Sequence, residues 1–205
     1  MQNKTFAVRP AGPEDDPAIA ALVVEGFLDK FRPIFRGRID QSTDIMEKWV
    51  RLEHSIGGVS SLVVETSDGV VASVGVRLGD SEDETLSRAL WSILRKHLGL
   101  IPAVRAAALL SYPRYAPQRA EAYVERLVVS SDYRHEGMAR TLLHEAESRG
   151  REEEKGTVAL HVTNNNHAAL KLYESEGYGE VSRQRSLLTS YALGIKSWLY
   201  LRKDL

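Results

Sequence analysis

Apolar and polar positions change rhythm several times along this chain, and each change marks an element. Over residues 5–9, Phe6 and Val8 alternate with polar neighbours, which predicts a short first strand. Gly12-Pro13-Glu14-Asp15-Asp16 places proline at a first helical position and acids in the first turn. A helix is expected there, with Ile19, Leu22, Val23 and Phe27 on its buried face and Arg32-Pro33 as its end. A second helix is expected from Asp44, because Asp44 and Glu47 have capping-box spacing. Ile45, Trp49, Leu52 and Ile56 form its apolar side, and Gly57-Gly58 stops it. Residues 59–65 and 70–78 read as strands joined by a Ser67-Asp68-Gly69 hairpin turn.

Residues 81–118 break the alternation of strand and helix. Ser81 and Glu84 form another capping box, and Leu86, Leu90, Ile93 and Leu94 make a helical stripe. Gly99 and Pro102 stop it, residues 103–110 form a second, apolar helix, and 111–118 read as extended loop. Acids at the start (Asp80, Glu82, Asp83, Glu84) and bases later (Arg88, Arg95, Lys96, Arg105) follow the helix dipole. The segment is expected to be a helical insertion. After it the pattern predicts strand 122–129, helix 137–152, strand 158–163, helix 166–176, strand 179–188 and strand 197–201. Helices and strands interleaved in this way indicate an α/β or α+β domain with a mixed sheet.

Composition narrows the function. The 205 residues suit one domain, and 27 Lys plus Arg against 28 Asp plus Glu give a net charge of -1. A nucleic-acid binder would usually show a basic excess, so no nucleic-acid partner is expected. There is no cysteine, which removes disulfides and thiol nucleophiles and suits a reducing compartment. The first ten residues lack the apolar core of a signal peptide, and no run approaches membrane-spanning length. A soluble cytoplasmic protein with no membrane partner is the expectation. The six histidines form no metal set, and His144-Glu145 lacks the second histidine of a metalloprotease motif, so no metal is expected.

The chemistry concentrates after residue 129. Tyr133-Arg134-His135-Glu136-Gly137-Met138-Ala139 joins a strand to a helix. A helix start leaves amide N–H groups unpaired and carries partial positive charge. Gly137 lets a ligand approach the backbone, Arg134 adds a cation, and Ala139 keeps the first turn slim. Together they suit an anion, most naturally phosphate. The loop is neither a Rossmann fingerprint nor a P-loop, since the third glycine and the Gly-Lys-Ser/Thr are missing.

A second motif, "NHAALKLYESEGY" at 166–178, supplies Asn166, Ala169, Leu172-Tyr173 and Gly177-Tyr178. Its chance occurrence is on the order of 10⁻⁵ per chain of this size. With the "RHEGMA" loop it resembles the GNAT superfamily of acetyl-CoA-dependent N-acetyltransferases. The resemblance runs from Thr5 to the C-terminus, apart from 81–118, and departs from the common loop pattern only in Ala139. It implies a single N-acetyltransferase domain over 1–205. The expected fold is a mixed, mostly antiparallel central sheet flanked by helices, with the helical insertion between strands 3 and 4.

The resemblance also assigns roles. Acetyl-CoA would be the co-substrate and an amine-bearing molecule the acceptor. Arg134, His135, Glu136, Gly137, Met138, Ala139 and Arg140 would hold the pyrophosphate, and Asn166, Ala169 and Tyr173 would flank the coenzyme arm. Strand 122–129 would splay from its neighbour and free amides at Leu127, Val128 and Val129. Alternate strand residues share a face, which groups Tyr123, Glu125 and Leu127. Glu125 is the candidate general base, directly or through water, and Tyr173 the candidate acid for the leaving thiolate. The insertion, with Tyr112, Arg114 and Tyr115, is expected to cover the acceptor side. Two other readings stand beside this one. The chain would be a non-catalytic acyl-CoA-binding sensor, or the apolar 103–110 helix would form a homodimer surface.

Overall fold

A computed structural model describes residues 6–79 and 83–205. The elements run β1 (Ala7–Pro10), α1 (Asp16–Gly26), α2 (Leu28–Phe35), α3 (Ser42–Ile56), β2 (Val59–Thr66), β3 (Gly69–Arg77), α4 (Asp83–Leu98) and α5 (Leu100–Leu110). They continue as β4 (Glu121–Val129), α6 (Met138–Glu152), β5 (Thr157–Thr163), α7 (His167–Ser175), β6 (Gly179–Arg185), α8 (Leu187–Leu193) and β7 (Ser197–Asp204). The seven strands form one sheet in the order β1-β2-β3-β4-β5-β7-β6. Every neighbouring pair is antiparallel except β4 and β5.

Alternation along the strands feeds two apolar layers. On one face Leu62, Val74, Val124, Leu160 and Leu199 meet Leu142 and Leu143 of α6 and Tyr173 of α7. On the other, Val63 and Val128 meet Ile19, Val23, Ile45 and Val50 of α1 and α3. The α4–α5 pair lies between β3 and β4 in sequence and joins this second layer through Leu94, Leu98, Ala103, Ala106 and Leu109. Each fully buried leucine there contributes about 1.5–3 kcal/mol. The inner face of α5 is thus taken up within the chain, while Leu100, Ile101 and Val104 point outward. Among the described residues, no helix is long and apolar enough to cross a membrane.

Several expected boundaries move. The first helix breaks at Phe27 rather than at Arg32-Pro33, and α2 runs on through Pro33. Arg105 of α5 closes the end of α2. Its Nη1 donates to the carbonyls of Pro33 and Ile34 at 2.6 and 3.0 Å, satisfying the helix end. Asp44 and Glu47 do not cap α3. A 3-10 segment, Arg36–Gln41, leads directly into Ser42, so Asp44 sits inside the first turn. The buried side of α3 is Ile45, Val50 and Glu53, and Trp49, Leu52 and Ile56 are half-buried. Pro102 does not end a helix. It lies in the first turn of α5, where its missing N–H has no intrahelical partner to lose. Residues 187–188 are not strand but the start of α8, capped by Ser186 and stopped by left-handed Gly194. The Ser81/Glu84 capping box falls outside the described residues and side chains.

Candidate active site

The parallel pairing of β4 with β5 is short. It joins Glu121–Val124 to Thr157–Leu160 and then ends, although both strands continue. Beyond Val124 the two strands part. On its other side β4 stays paired with β3, and Ser130 N–H donates to the Val71 carbonyl at 2.9 Å. Antiparallel ladders alternate, so this register turns Val128 and Arg126 towards β3 and Leu127 and Val129 towards the gap. The Arg134 side chain agrees, reaching the Val129 carbonyl from outside at 3.5 Å. Of the three amides expected to face the coenzyme, Leu127 and Val129 point into the gap. Val128 faces β3, and its side chain packs in the opposite layer.

The loop after β4 is braced on two sides. Buried Tyr133 donates its hydroxyl to Asp68 in the β2–β3 turn, and Glu25 at the end of α1 accepts the Ser131 N–H at 2.6 Å. Just beyond these anchors His135 and Gly137 have φ of 67° and 86°, a curl that gathers N–H groups at the head of α6. Gly137, the N-cap residue, has no side chain to cap that helix. The space where a Cβ would stand on Gly137 is open. Arg134, His135, Glu136 and Gly137 are exposed, and Met138 anchors the turn in the core. An uncapped helix start with room above its glycine fits an anionic phosphate. Arg140 is engaged elsewhere, donating to Glu176 of the α7 end at 2.5 Å, with His144 2.6 Å from the same carboxylate. These two contacts hold the Glu176 carboxyl below the usual range.

Glu125 sits at a β-bulge. Gly75 pairs with Arg126 and Val76 with Val124, so Glu125 is the extra residue. The bulge overturns the expected face. Tyr123 packs beside Ala159 and Tyr200, whereas Leu127 packs in the layer under α6. Arg77 of β3 donates to Glu125 through Nε at 2.5 Å and fixes its position. Tyr173 is buried against Tyr178, ring centroids 5.8 Å apart. Burial pushes its hydroxyl up to about 12, so it remains protonated at neutral pH. Asn166 caps its own helix, accepting the Ala169 N–H at 3.2 Å.

The profile of the acetyltransferase (GNAT) family matches residues 27–178, most of the chain. The protein belongs to the GNAT acetyltransferase family. It is therefore an acyltransferase, of a family that uses acetyl-CoA. No curated protein matches the sequence. The fold is similar to ribosomal-protein-alanine N-acetyltransferase from Brucella melitensis, with a TM-score of 0.65 at 18% identity over 97% of this chain and 99% of that one. It is also similar to an N-acetyltransferase from Staphylococcus aureus Mu50, with a TM-score of 0.62 at 13% identity over 98% of each chain. The ribosomal-protein-S18-alanine N-acetyltransferase from Escherichia coli scores 0.56 at 14% identity, covering 98% and 94%.

In this GNAT chain the opposite face of the gap carries a cluster that sequence reasoning missed. Tyr115 donates to one Glu121 carboxylate oxygen at 2.6 Å and Tyr200 donates to the other, and the two hydroxyls lie 2.9 Å apart. Tyr123 lies 2.8 Å from Nδ1 of His161, which burial pushes down to about 4. Tyr115, expected as lining from the insertion, thus packs onto the sheet. Arg114 instead pairs through its backbone with the Gln184 side chain at 3.2 and 2.8 Å. One signal for the bulge was available. Gly75 stands inside a strand, and a Cβ there would lie 3.1 Å from the Arg126 guanidinium carbon.

Proposed function

We propose that the chain moves the acetyl group of acetyl-CoA directly to a primary amine. The observation that carries this is the parting of β4 and β5 after Val124 and Leu160, with an uncapped helix start at the same end. Arg134 and the amides from Gly137 to Arg140 hold the pyrophosphate. The Leu127 and Val129 amides face the pantetheine arm and the acetyl carbonyl, where one well-aimed donor is typically worth about 2.7–4 kcal/mol. Glu125 takes a proton from the amine, whose nitrogen forms the new bond to the acetyl carbon. The carbon–sulfur bond breaks, and Tyr173 supplies its proton to the thiolate. Glu125, on the bulge beside the gap, and Tyr173, buried and protonated on α7, support these roles. The α4–α5 pair packs with α1–α3 on the face away from α6 and α7, which supports a place on the acceptor side.

Acetyl-CoA at 100 times its dissociation constant should stabilise the fold by about 2.7 kcal/mol, read by thermal shift. Gly137→Asp should abolish that response. It adds negative charge at the anion site and puts a side chain on a backbone with φ of 86°. Absence of any response in the wild type would remove the acetyl-CoA reading. Transfer is read as thiol release across polyamines, amino sugars, amino acids, peptide N-termini and protein lysines. With no cysteine in the chain, initial-rate plots should intersect. Parallel plots or a trapped acetyl-enzyme would contradict direct transfer. Binding without transfer to any amine would favour the sensor reading.

A further inference from the structure

The α1–α2 junction bridges the gap between β4 and β5 on the face opposite α6 and α7. At its β4 end Gly26 lies against Val128, where a Cβ would stand 3.0 Å from a valine methyl. Glu25 beside it holds Ser131. At the far end Lys30 Nζ lies 4.4 Å from the Phe27 ring centroid and 4.8 Å from that of Trp198. Trp198 is on β7, paired with Thr163 in the stretch of β5 that has left β4. Two residues along, Tyr200 pairs with His161, so Trp198, Tyr200, Thr163 and His161 share this face.

Lys30 has aromatic neighbours and, among the described residues, no carboxylate within ion-pairing distance. Burial pushes its ammonium down to about 8, which leaves it a cation at neutral pH. Lys30 itself is half-buried, and its cation–π contacts offset part of the desolvation without using its N–H donors. The indole Nε1 of Trp198 and Nε2 of His161 are both buried without a hydrogen-bond partner. Buried donors are rarely left unpaired in a folded chain. Here a cation and an indole N–H stand next to each other at the mouth of the gap, on the side from which an acceptor would enter. A carboxylate would satisfy both.

We infer that the acceptor is a free amino acid whose carboxylate is held by Lys30, with the Trp198 indole N–H as a second donor. The inference rests on the acetyl-transfer reading above. A polyamine would bring a second cation towards Lys30, and a peptide N-terminus or protein lysine carries no carboxylate at this position. The amine, one carbon from the carboxylate, would then point into the gap.

The test uses the full chain with acetyl-CoA and compares free amino acids with their carboxamides, a diamine and a short peptide. Free acids should exceed their carboxamides by about 30-fold or more in kcat/KM, chiefly through KM. Lys30→Met fills the same apolar space without charge and should erase that preference, leaving carboxamide rates within a few-fold. Trp198→Phe keeps an aromatic face without the N–H and should weaken the acids alone, by several-fold. Carboxamides or peptides used as well as acids, no transfer to any free amino acid, or equal loss on both series in Lys30→Met would each overturn the inference. So would a Lys30→Met defect confined to a carboxylate-bearing acyl donor such as succinyl-CoA. The thermal response to acetyl-CoA separates the two failures. Its absence in the wild type defeats the acetyl-transfer reading, and its presence with acid-blind kinetics defeats only the carboxylate contact.

Discussion

Tyr173→Phe is expected to lower acetyl-transfer turnover by about 10²–10⁴-fold while leaving the fold and the acetyl-CoA thermal shift intact. The substitution removes one oxygen. The ring stays in the layer shared with Tyr178, so packing is kept. What is lost is a proton held on a hydroxyl that burial keeps protonated up to about pH 12. A thiolate leaving without that proton must be stabilised by water, which the buried position excludes. Glu125→Gln should fall in the same range by removing the proton acceptor while keeping side-chain shape. Steady-state thiol release at saturating acetyl-CoA reads both. Losses below about threefold in both variants would assign Tyr173 to packing and Glu125 to its ion pair with Arg77.

The elements with long, regular periods were legible in the sequence. Strands 59–65 and 70–78, the helices after Gly137 and Asn166, and the hairpin at Ser67-Asp68-Gly69 all fall where apolar spacing and turn residues put them. Misses have particular causes. Pro33 stays inside α2, and the carbonyls at that helix end are met by Arg105, far along the chain. The α8 helix was hidden because Leu187-Leu188-Thr189 suits a strand as well as a helix, although Ser186 and Gly194 were available as cap signals. At the site, the phosphate loop was readable because its signal is contiguous. The flip of Leu127 away from the face of Tyr123 was not, since one extra residue in β4, Glu125, inverts the alternation for everything after it. Lys30 and Trp198 meet across most of the chain length, and no spacing rule pairs them.

Arg126→Met is expected to destabilise the fold by about 3–5 kcal/mol, because it strands a buried carboxylate. Arg126 Nη1 donates to Glu53 at 2.6 Å, and their side chains are only 7% and 3% exposed. Ser61 takes a second, longer contact at 3.3 Å. Burial pushes the Glu53 carboxyl up despite the pull of Arg126. Removing the guanidinium leaves the upward push of burial and Glu125 against only the weaker pull of Arg77, and the sign of the pH effect follows. A carboxyl whose folded value lies above its unfolded value favours folding when protonated, so stability falls as pH rises through that window. The Arg126→Met deficit should therefore shrink on acidification from pH 8 towards pH 5. For a chain of this size the loss at pH 8 should lower Tm by roughly 10 °C. Adding Glu53→Leu removes the stranded charge and should recover much of the deficit, since an apolar pair of similar volume is often neutral or stabilising. The pair flanks the bulge that presents Glu125, so the double variant also separates stability from catalysis. If it melts near the wild type and still transfers acetyl groups slowly, the buried charges serve the geometry of β4. If Arg126→Met alone melts with the wild type at pH 8, the buried pair carries no stability.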